Sequence, residues 1–237
     1  MSRAQVDHLV VVAASLAQGV AWCEQTLGIT PGPGGEHPLM GTHNRLFSVA
    51  GTAFPRAYFE IIAIQPGVAP LRAAGRQRWF DMDDRELQAR VASEGPQLVH
   101  FVASVPGVVS AVKALATQGL DRGSVVEASR QTATGLLSWR ITVRDDGQRL
   151  FYGTLPTLIQ WGEAGEDPAQ ATHPLDAMPA SGVTLQALQV RHPRPEQLQA
   201  AYAAIGLTGV GVTPGPPSLH ATLQTPRGPV TLESKGI

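Results

Sequence analysis

The feature that most constrains the fold is a strand–helix unit that recurs three times along the chain. In the first copy, an apolar strand that contains His8 leads into a helix ending at Gly28, 20 positions later. Intervals of 19 and 20 positions separate two further pairs, His100 and Gly119, and Gln186 and Gly206. Such regular spacing indicates tandem copies of one folding unit rather than a doubly wound parallel sheet.

Each unit also closes on a strand with a polar residue at a matching place: Glu60, Gln160 and Glu233. The sequence therefore predicts an α+β fold built from tandem βαβββ modules. The predicted divisions are a first module over 1–66, a connection over 67–96, a second module over 97–162, a linker over 163–182 and a partial third βαββ module over 183–237. The linker is predicted from its richness in Ala, Pro, Glu and Asp.

Several local features complete this prediction. Ser15 and Gln18 stand in capping-box relation at the start of the first helix, and Gly28 is placed for a left-handed C-cap. We expect a strand at Arg149–Tyr152 in the second unit and two closing strands in the third. His37, His173 and His192 lie beside prolines, and we expect them to be solvated loop residues.

Composition excludes some classes of function. Eighteen basic residues balance nineteen acidic ones, so no net field favours nucleic acid or an anionic membrane. No glycine-rich phosphate loop lies between a strand and a helix, and no apolar run approaches a membrane span. The single cysteine, Cys23, falls on the apolar stripe of the first helix and is predicted to be buried. We expect a cytoplasmic protein.

The arrangement resembles the vicinal-oxygen-chelate superfamily, which includes glyoxalase I, extradiol dioxygenases and bleomycin-resistance proteins. Within it, the chain is most similar to the glyoxalase-like domain family of largely uncharacterised bacterial proteins. The resemblance covers about residues 5–162 well, and the last third less well. The motifs that carry it are Val6-Asp7-His8-Leu9-Val10-Val11, Gly41-Thr42-His43-Asn44-Arg45-Leu46, Tyr58-Phe59-Glu60-Ile61-Ile62, Arg78-Trp79-Phe80, Val99-His100-Phe101-Val102 and Leu155-Pro156-Thr157-Leu158-Ile159-Gln160-Trp161.

The resemblance implies a half-open barrel in which the first and last strands of each module supply metal ligands. Carried over by position, the ligands are His8, Glu60 and His100, with Gln160 at the fourth place. The implied cofactor is a divalent ion (Zn, Ni, Mn or Fe), and Glu60 is also the implied catalytic residue. Gln160 departs from glyoxalase I, where a glutamate at that place serves as ligand and base, because an amide cannot accept a proton at neutral pH.

Alternatives are open for each of these residues. His8 and His100 are either ligands or buried histidines satisfied by backbone or water, and Glu60 alone would suit a salt bridge. The residues expected to contact substrate are Asn44, Arg45, Trp139, Arg140 and Gln160. The arginines among them would hold a carboxylate or phosphate, or would otherwise belong to an edge-strand surface with snorkelling side chains.

Two functions from different classes follow from the resemblance. The first is a metal-dependent lyase or isomerase of the glyoxalase type, acting on a small carbonyl substrate. The second is a non-catalytic protein of the bleomycin-resistance type that binds or sequesters a small molecule. A dioxygenase is a weaker third interpretation, and a homodimer is the expected assembly.

Overall fold

The first two modules are joined through their opening strands. In the structure, a computed structural model, the described residues are 3–132, 135–163, 165–166 and 171–234. The first module and the connection contain β1 (Gln5–Val12), α1 (Leu16–Leu27), β2 (Glu36–His37), β3 (Thr42–Ser48), β4 (Tyr58–Ile64) and α2 (Arg85–Glu94). The second module contains β5 (Gln97–Ser104), α3 (Val108–Ala116), β6 (Ser124–Thr132), β7 (Gly135–Val143) and β8 (Thr157–Trp161). Strand β1 pairs in parallel with β4 and antiparallel with β5, so the modules share one sheet.

That sheet has eight strands in the order β2-β3-β4-β1-β5-β8-β7-β6. It curls until its two ends approach each other, since the ring of His37 on β2 lies 6.4 Å from that of Trp139 on β7. The alternating residues of each strand therefore form an inner face, which encloses a cavity, and an outer face. The predicted α+β fold of tandem βαβββ modules is confirmed.

The outer face carries the helices. Cys23 and Leu27 of α1 and Val108 and Leu115 of α3 belong to one buried apolar cluster behind the sheet. Helix α1 begins after Ser15, whose hydroxyl accepts the N–H of Gln18, and ends at Gly28 with φ 76°, as predicted. The longest helix among the described residues has 12 residues, and none of these helices could cross a membrane.

The third unit forms a separate four-stranded sheet. It contains β9 (Thr184–His192), α4 (Pro195–Ile205), β10 (Val210–Pro214), β11 (Ser218–Thr225) and β12 (Gly228–Glu233), with the strand order β10-β9-β11-β12. Leu188 and Leu198 of this unit belong to the same outer cluster as α1 and α3. The third unit therefore backs the main sheet on the side away from the cavity.

Two local expectations differ from the structure. The third unit has three strands after its helix instead of two; the additional strand, β10, contains Gly211 and Pro214, which weaken a strand signal. The strand expected at Arg149–Tyr152 is a 3₁₀ turn over Leu150–Gly153, in which Phe151 and Tyr152 have φ values of 54° and 55°.

Candidate functional site

A narrow cavity lies on the inner face of the eight-stranded sheet. Its walls are mainly aromatic and aliphatic, and it leaves about 30 Å³ for the centres of water molecules, or roughly two to three water positions. The residues that line it are His8, His37, Asn44, Leu46, Tyr58, Glu60, Trp79, Phe80, Arg130, Leu137, Trp139, Ile141, Ile159, Trp161 and Pro174. Polar groups converge at one end, which is the usual form of a small-molecule site.

A β-bulge in β1 brings two consecutive side chains together. Val6 pairs with Ala103 and His8 pairs with Val102, so Asp7 is an extra residue that has no partner in β5. In a regular strand Asp7 and His8 would point to opposite faces. At the bulge, Asp7 Oδ1 instead lies 2.7 Å from Nδ1 of His8. Bulges re-aim side chains in this way beside many active sites.

The Asp7 carboxylate is buried and receives three hydrogen bonds. Besides the His8 contact, the indole N–H of Trp161 donates to Oδ2 at 2.8 Å, and His173 Nε2 lies 3.3 Å from the same oxygen. Burial alone would raise the pKa of Asp7, but the hydrogen bonds and charges of His173 and His8 outweigh it and hold that pKa well below its usual range. Asp7 is thus a fixed anion.

The ionised Asp7 sets the tautomer of His8. A carboxylate only accepts hydrogen bonds, so the network assigns the ring proton of His8 to Nδ1. In the neutral form of the ring, Nε2 carries the lone pair, and this atom lies 3.7 Å from Oε2 of Glu60. The ring is held flat by Tyr58, which stacks on it with the ring centroids 4.5 Å apart.

Glu60 is held on its other oxygen by Asn44. The Asn44 side-chain amide donates to Oε1 of Glu60 at 2.6 Å, and its carbonyl oxygen accepts the N–H of Gly35 at 2.8 Å. The glycine-proline loop before β2 therefore fixes which way the amide points. Oε2 of Glu60 lies 3.7 Å from Nε2 of His8, which is too long for a hydrogen bond between these two atoms. Both atoms can contact one ligand together.

His100 faces the same side of the sheet as His8, but both of its ring nitrogens contact other groups. Its Nδ1 lies 2.8 Å from the carbonyl oxygen of Gly153, and its Nε2 accepts the backbone N–H of Thr157 at 3.0 Å. Burial, reinforced by the charge of Arg122, lowers the pKa of His100 well below its usual value. His100 is a neutral histidine with both ring nitrogens engaged.

The remaining predicted site residues divide between the two faces of the sheet. Asn44 and Trp139 line the cavity, whereas Arg45 is exposed on the outer face of β3. Gln160 also faces outward, and its side-chain oxygen accepts the N–H of Val108 at the start of α3, 2.9 Å away. Arg140, which is opposite Gln160 in the β7–β8 pairing, shares that outer face. The inner position next to Gln160 is taken by Trp161.

The predicted metal ligands do not form a three-residue cluster. His8 and Glu60 come together, but His100 has no free lone pair on either ring nitrogen to offer an ion. Within the part of the chain that the structure describes, no group of three or more His, Cys, Asp or Glu side chains is placed to hold a metal. The donor set therefore does not fit the ion that the resemblance implies.

The expectation that His37, His173 and His192 are solvated is wrong. Their exposed fractions are 9%, 3% and 1%. His37 lines the cavity beside Asn44, with 3.4 Å between its Nε2 and the amide nitrogen. His173 caps the start of a 3₁₀ turn, Pro174–Ala177, in the described part of the predicted linker, and its ring reaches Asp7. Prolines adjacent to these histidines indicated loops but said nothing about burial.

The connection before α2 also reaches the cavity. Trp79 and Phe80 stack on each other with centroids 5.2 Å apart, and both line the cavity. Phe80 and Asp81 adopt left-handed backbone conformations with φ values of 60° and 56°. An ion pair from Arg149 to Asp81, 2.8 Å long, holds this segment in place.

Two hydrogen-bond donors of the cavity have no partner among the residues that the structure describes. Nε1 of Trp79 and Nη1 of Arg130 are both buried and make no hydrogen bond. Trp79 is 8% exposed and comes from the connection, whereas Arg130 comes from β6, and both line the cavity. Buried donors without partners are uncommon in folded proteins.

The comparisons with known proteins define the family. A family model described as the glyoxalase-like domain matches residues 6–206, so the chain belongs to the glyoxalase-like domain family. None of the curated proteins matches the chain.

Solved structures support the fold. A hypothetical protein from Staphylococcus aureus matches with a TM-score of 0.57 at 12% identity, over 97% of this chain and 85% of that chain. Methylmalonyl-CoA epimerase from Mycobacterium tuberculosis matches with a TM-score of 0.36 at 16% identity, over 66% of this chain and 85% of that chain. The first match extends the shared fold to nearly the whole chain, and the second is too distant to bear on chemistry.

The buried neutral histidines predict acid sensitivity. Burial, with the charge of Arg130, lowers the pKa of His37 to about 3, while the unfolded chain keeps the ordinary value of 6.5. Between these values the unfolded state binds more protons, so stability is lost as the pH falls below 6.5. His37→Gln should make the decline in unfolding free energy between pH 6.5 and 5 shallower by about 1 kcal/mol per pH unit. Urea denaturation at several pH values measures this.

The control for that experiment is His220→Gln, since His220 is a partly exposed histidine on β11. A change of slope in His37→Gln that His220→Gln does not share is assigned to the buried position of His37. Equal slopes for wild type and His37→Gln would show that His37 titrates alike in the folded and unfolded chains, against its placement here.

Proposed function

We propose that the protein is an acid–base enzyme, an isomerase or lyase, that moves a proton at a carbon next to the carbonyl group of a small substrate. The proposal refines the glyoxalase-like function implied by the resemblance. It assigns the proton transfer to His8 and Glu60, with Asp7 as the residue that positions His8.

The observation that carries the proposal is the placement of an oriented imidazole beside a carboxylate in one enclosed cavity. Asp7 contacts Nδ1 of His8, so Nε2 is the ring nitrogen that faces Glu60, 3.7 Å from its Oε2. Two titratable groups held this close, each fixed from behind by another side chain, are suited to accept a proton and return it. The aromatic walls limit access of water to the reacting carbon.

In the proposed reaction, Nε2 of His8 takes a proton from the carbon beside the substrate carbonyl. The electron pair of the broken C–H bond forms a C=C bond, and the carbonyl oxygen takes the negative charge of an enolate. Asp7 and Glu60 stabilise the imidazolium that results. If the deprotonated carbon bears a hydroxyl group, transfer of the hydroxyl proton to the enolate oxygen and delivery of the abstracted proton to the former carbonyl carbon complete an isomerisation. If the next carbon bears a leaving group, the carbonyl re-forms, a C=C bond forms to that carbon, and the group departs with its electron pair to complete an elimination.

A metal-dependent form of this reaction stays a prediction of the resemblance. His8 and Glu60 would be two of its ligands, and an ion there would supply charge to stabilise the enolate. Because His100 is engaged by Gly153 and Thr157, the proposal routes no step through a metal. A cytoplasmic location and a homodimer also stay predictions of the sequence.

A binding protein without catalysis is the second candidate, and the aromatic lining favours it. The indoles of Trp79, Trp139 and Trp161 and the ring of Tyr58 surround the cavity. Such walls hold a flat ligand by stacking and apolar contact. Binding of a ligand with no proton exchange would support this candidate.

We predict that the protein exchanges carbon-bound hydrogen of a small carbonyl compound for deuterium. A panel of hydroxyketones, aldehydes and 2-oxo acids of two to four carbons in D₂O, followed by proton NMR, measures this. His8→Gln and Glu60→Gln should each reduce the rate by about 10²-fold or more, because each removes one proton carrier. Asp7→Asn should also lower it, through the wrong tautomer of His8.

The matched control is Glu233→Gln, which changes the equivalent carboxylate of the third unit, exposed on β12. It should exchange at the wild-type rate. The proposal fails if no compound of the panel exchanges faster than in buffer, or if His8→Gln exchanges as fast as wild type.

Metal analysis tests the alternative directly. With His100 unavailable, we expect less than about a tenth of an equivalent of divalent ion in the purified protein, and exchange that survives EDTA. Elemental analysis and titration with Zn²⁺, Ni²⁺, Mn²⁺ and Fe²⁺ measure this. About one equivalent of ion, lost in His8→Gln and retained in Glu233→Gln, would contradict the donor geometry and support the metal-dependent form.

A further inference from the structure

We propose that the substrate carries a carboxylate next to its carbonyl group, and that Arg130 and the indole N–H of Trp79 bind this carboxylate. The cavity would then accept a 2-oxo acid of three or four carbons. This inference rests on the proposed function for the chemistry at His8, but the subsite itself is argued from other residues.

Two buried donors in the cavity have unmet hydrogen-bonding capacity. Arg130 Nη1 and Trp79 Nε1 are buried, line the same cavity and have no hydrogen-bond partner. Leaving a buried donor unpaired is unfavourable, and more so for a charged group. A ligand with two acceptor oxygens would satisfy both, whereas a hydrocarbon or a cation would satisfy neither.

The charge of Arg130 also favours an anionic ligand. Among the described residues, no carboxylate forms an ion pair with Arg130. Both carboxylates near the cavity have other contacts, since Asp7 accepts from His8, Trp161 and His173, and Glu60 accepts from Asn44. The positive charge of Arg130 is therefore free for a ligand. A guanidinium is the side chain best shaped to bind a carboxylate by paired hydrogen bonds.

The guanidinium of Arg130 is held in a fixed position. A Cβ on residue 35 would lie 2.2 Å from Nη1 of Arg130, so the arginine packs directly against the Gly35 backbone. The N–H of Gly35 also donates to Asn44, which holds Glu60. One glycine thus allows the close approach of Arg130 and fixes the amide that holds the catalytic carboxylate. The two halves of the site share this support.

The size of the cavity and the position of the acid–base pair suit a small 2-oxo acid. The cavity is narrow and lined by large side chains, which favours a small acid of three or four carbons over a bulky one. With its carboxylate on Arg130 and Trp79, a 2-oxo acid would direct its C3 hydrogens at the acid–base pair. His8 would remove a C3 proton and leave an enolate, and the return of deuterium from solvent would balance the step.

Calorimetric titration and NMR exchange with pyruvate and 2-oxobutanoate test the inference, with butanone as the neutral analogue. Wild type should bind both acids at least about tenfold more tightly than butanone and should exchange their C3 hydrogens. Arg130→Gln should weaken acid binding by about tenfold or more and leave butanone binding unchanged. Arg130→Lys, which keeps the charge, should bind the acids with an affinity between those of wild type and Arg130→Gln.

Arg85→Gln is the control for loss of a positive charge, because Arg85 is exposed at the start of α2, and it should bind the acids like wild type. His8→Gln should still bind the acids while losing exchange. Equal binding by wild type and Arg130→Gln, or no preference of wild type for the acids over butanone, overturns the inference.

The two proposals fail in different ways. Acid binding that depends on Arg130, with no exchange of any compound, supports the subsite and overturns the enzymatic function. Exchange of neutral ketones that depends on His8, with no effect of Arg130→Gln, leaves the function standing and overturns the subsite. The comparison of acids with butanone uses wild type alone, so it tests the carboxylate subsite even if Arg130→Gln does not fold.

Discussion

The Asp7 carboxylate is the interaction on which the rest of the site depends. It accepts hydrogen bonds from His8 in its own strand, from Trp161 in the second module and from His173 in the segment after that module. A buried anion with three donors strongly resists protonation, so Asp7 keeps its charge and fixes the ring proton of its neighbour. Without these contacts, an imidazole buried next to Glu60 would have no defined tautomer, and no single ring nitrogen would be set to accept a proton.

The support behind this pair comes from parts of the chain far apart in sequence. The loop before β2 orients Asn44, which holds Glu60, and the connection before α2 contributes Trp79 and Phe80 to the cavity wall. The curled sheet brings Arg130 of β6 against Gly35. The cavity is therefore a product of the joined modules and their linking segments together, and neither module contains it alone. Rigid support of this kind is what acid–base chemistry needs, because small displacements are costly.

Periodicity was enough to predict the tandem modules, because each unit repeats its strand, helix and glycine at nearly constant spacing, whereas the pairing of the modules into a barrel was implied by the family resemblance. It also placed Glu60, Asn44 and Trp139 on strands that reach the cavity. It failed where one residue changes the register: the bulge at Asp7 rotates a side chain inward, while Gln160 faces outward although it matches Glu60 in the repeat. A one-residue shift reverses the face of a strand and leaves no mark on the pattern. The contributions of His173 and Arg130 depend on tertiary contacts that no local signal reports.

The central claim is that Asp7 fixes the proton of His8 on Nδ1 and leaves Nε2 free in the neutral ring. Nitrogen-15 NMR of the histidine rings, with His8 assigned by comparison with His8→Gln, tests it most directly. The account predicts a protonated Nδ1 and an unprotonated Nε2 in the neutral imidazole of wild type, and loss of this preference in Asp7→Asn. A neutral His8 with its proton on Nε2, or an Asp7→Asn spectrum with the wild-type tautomer, would contradict it.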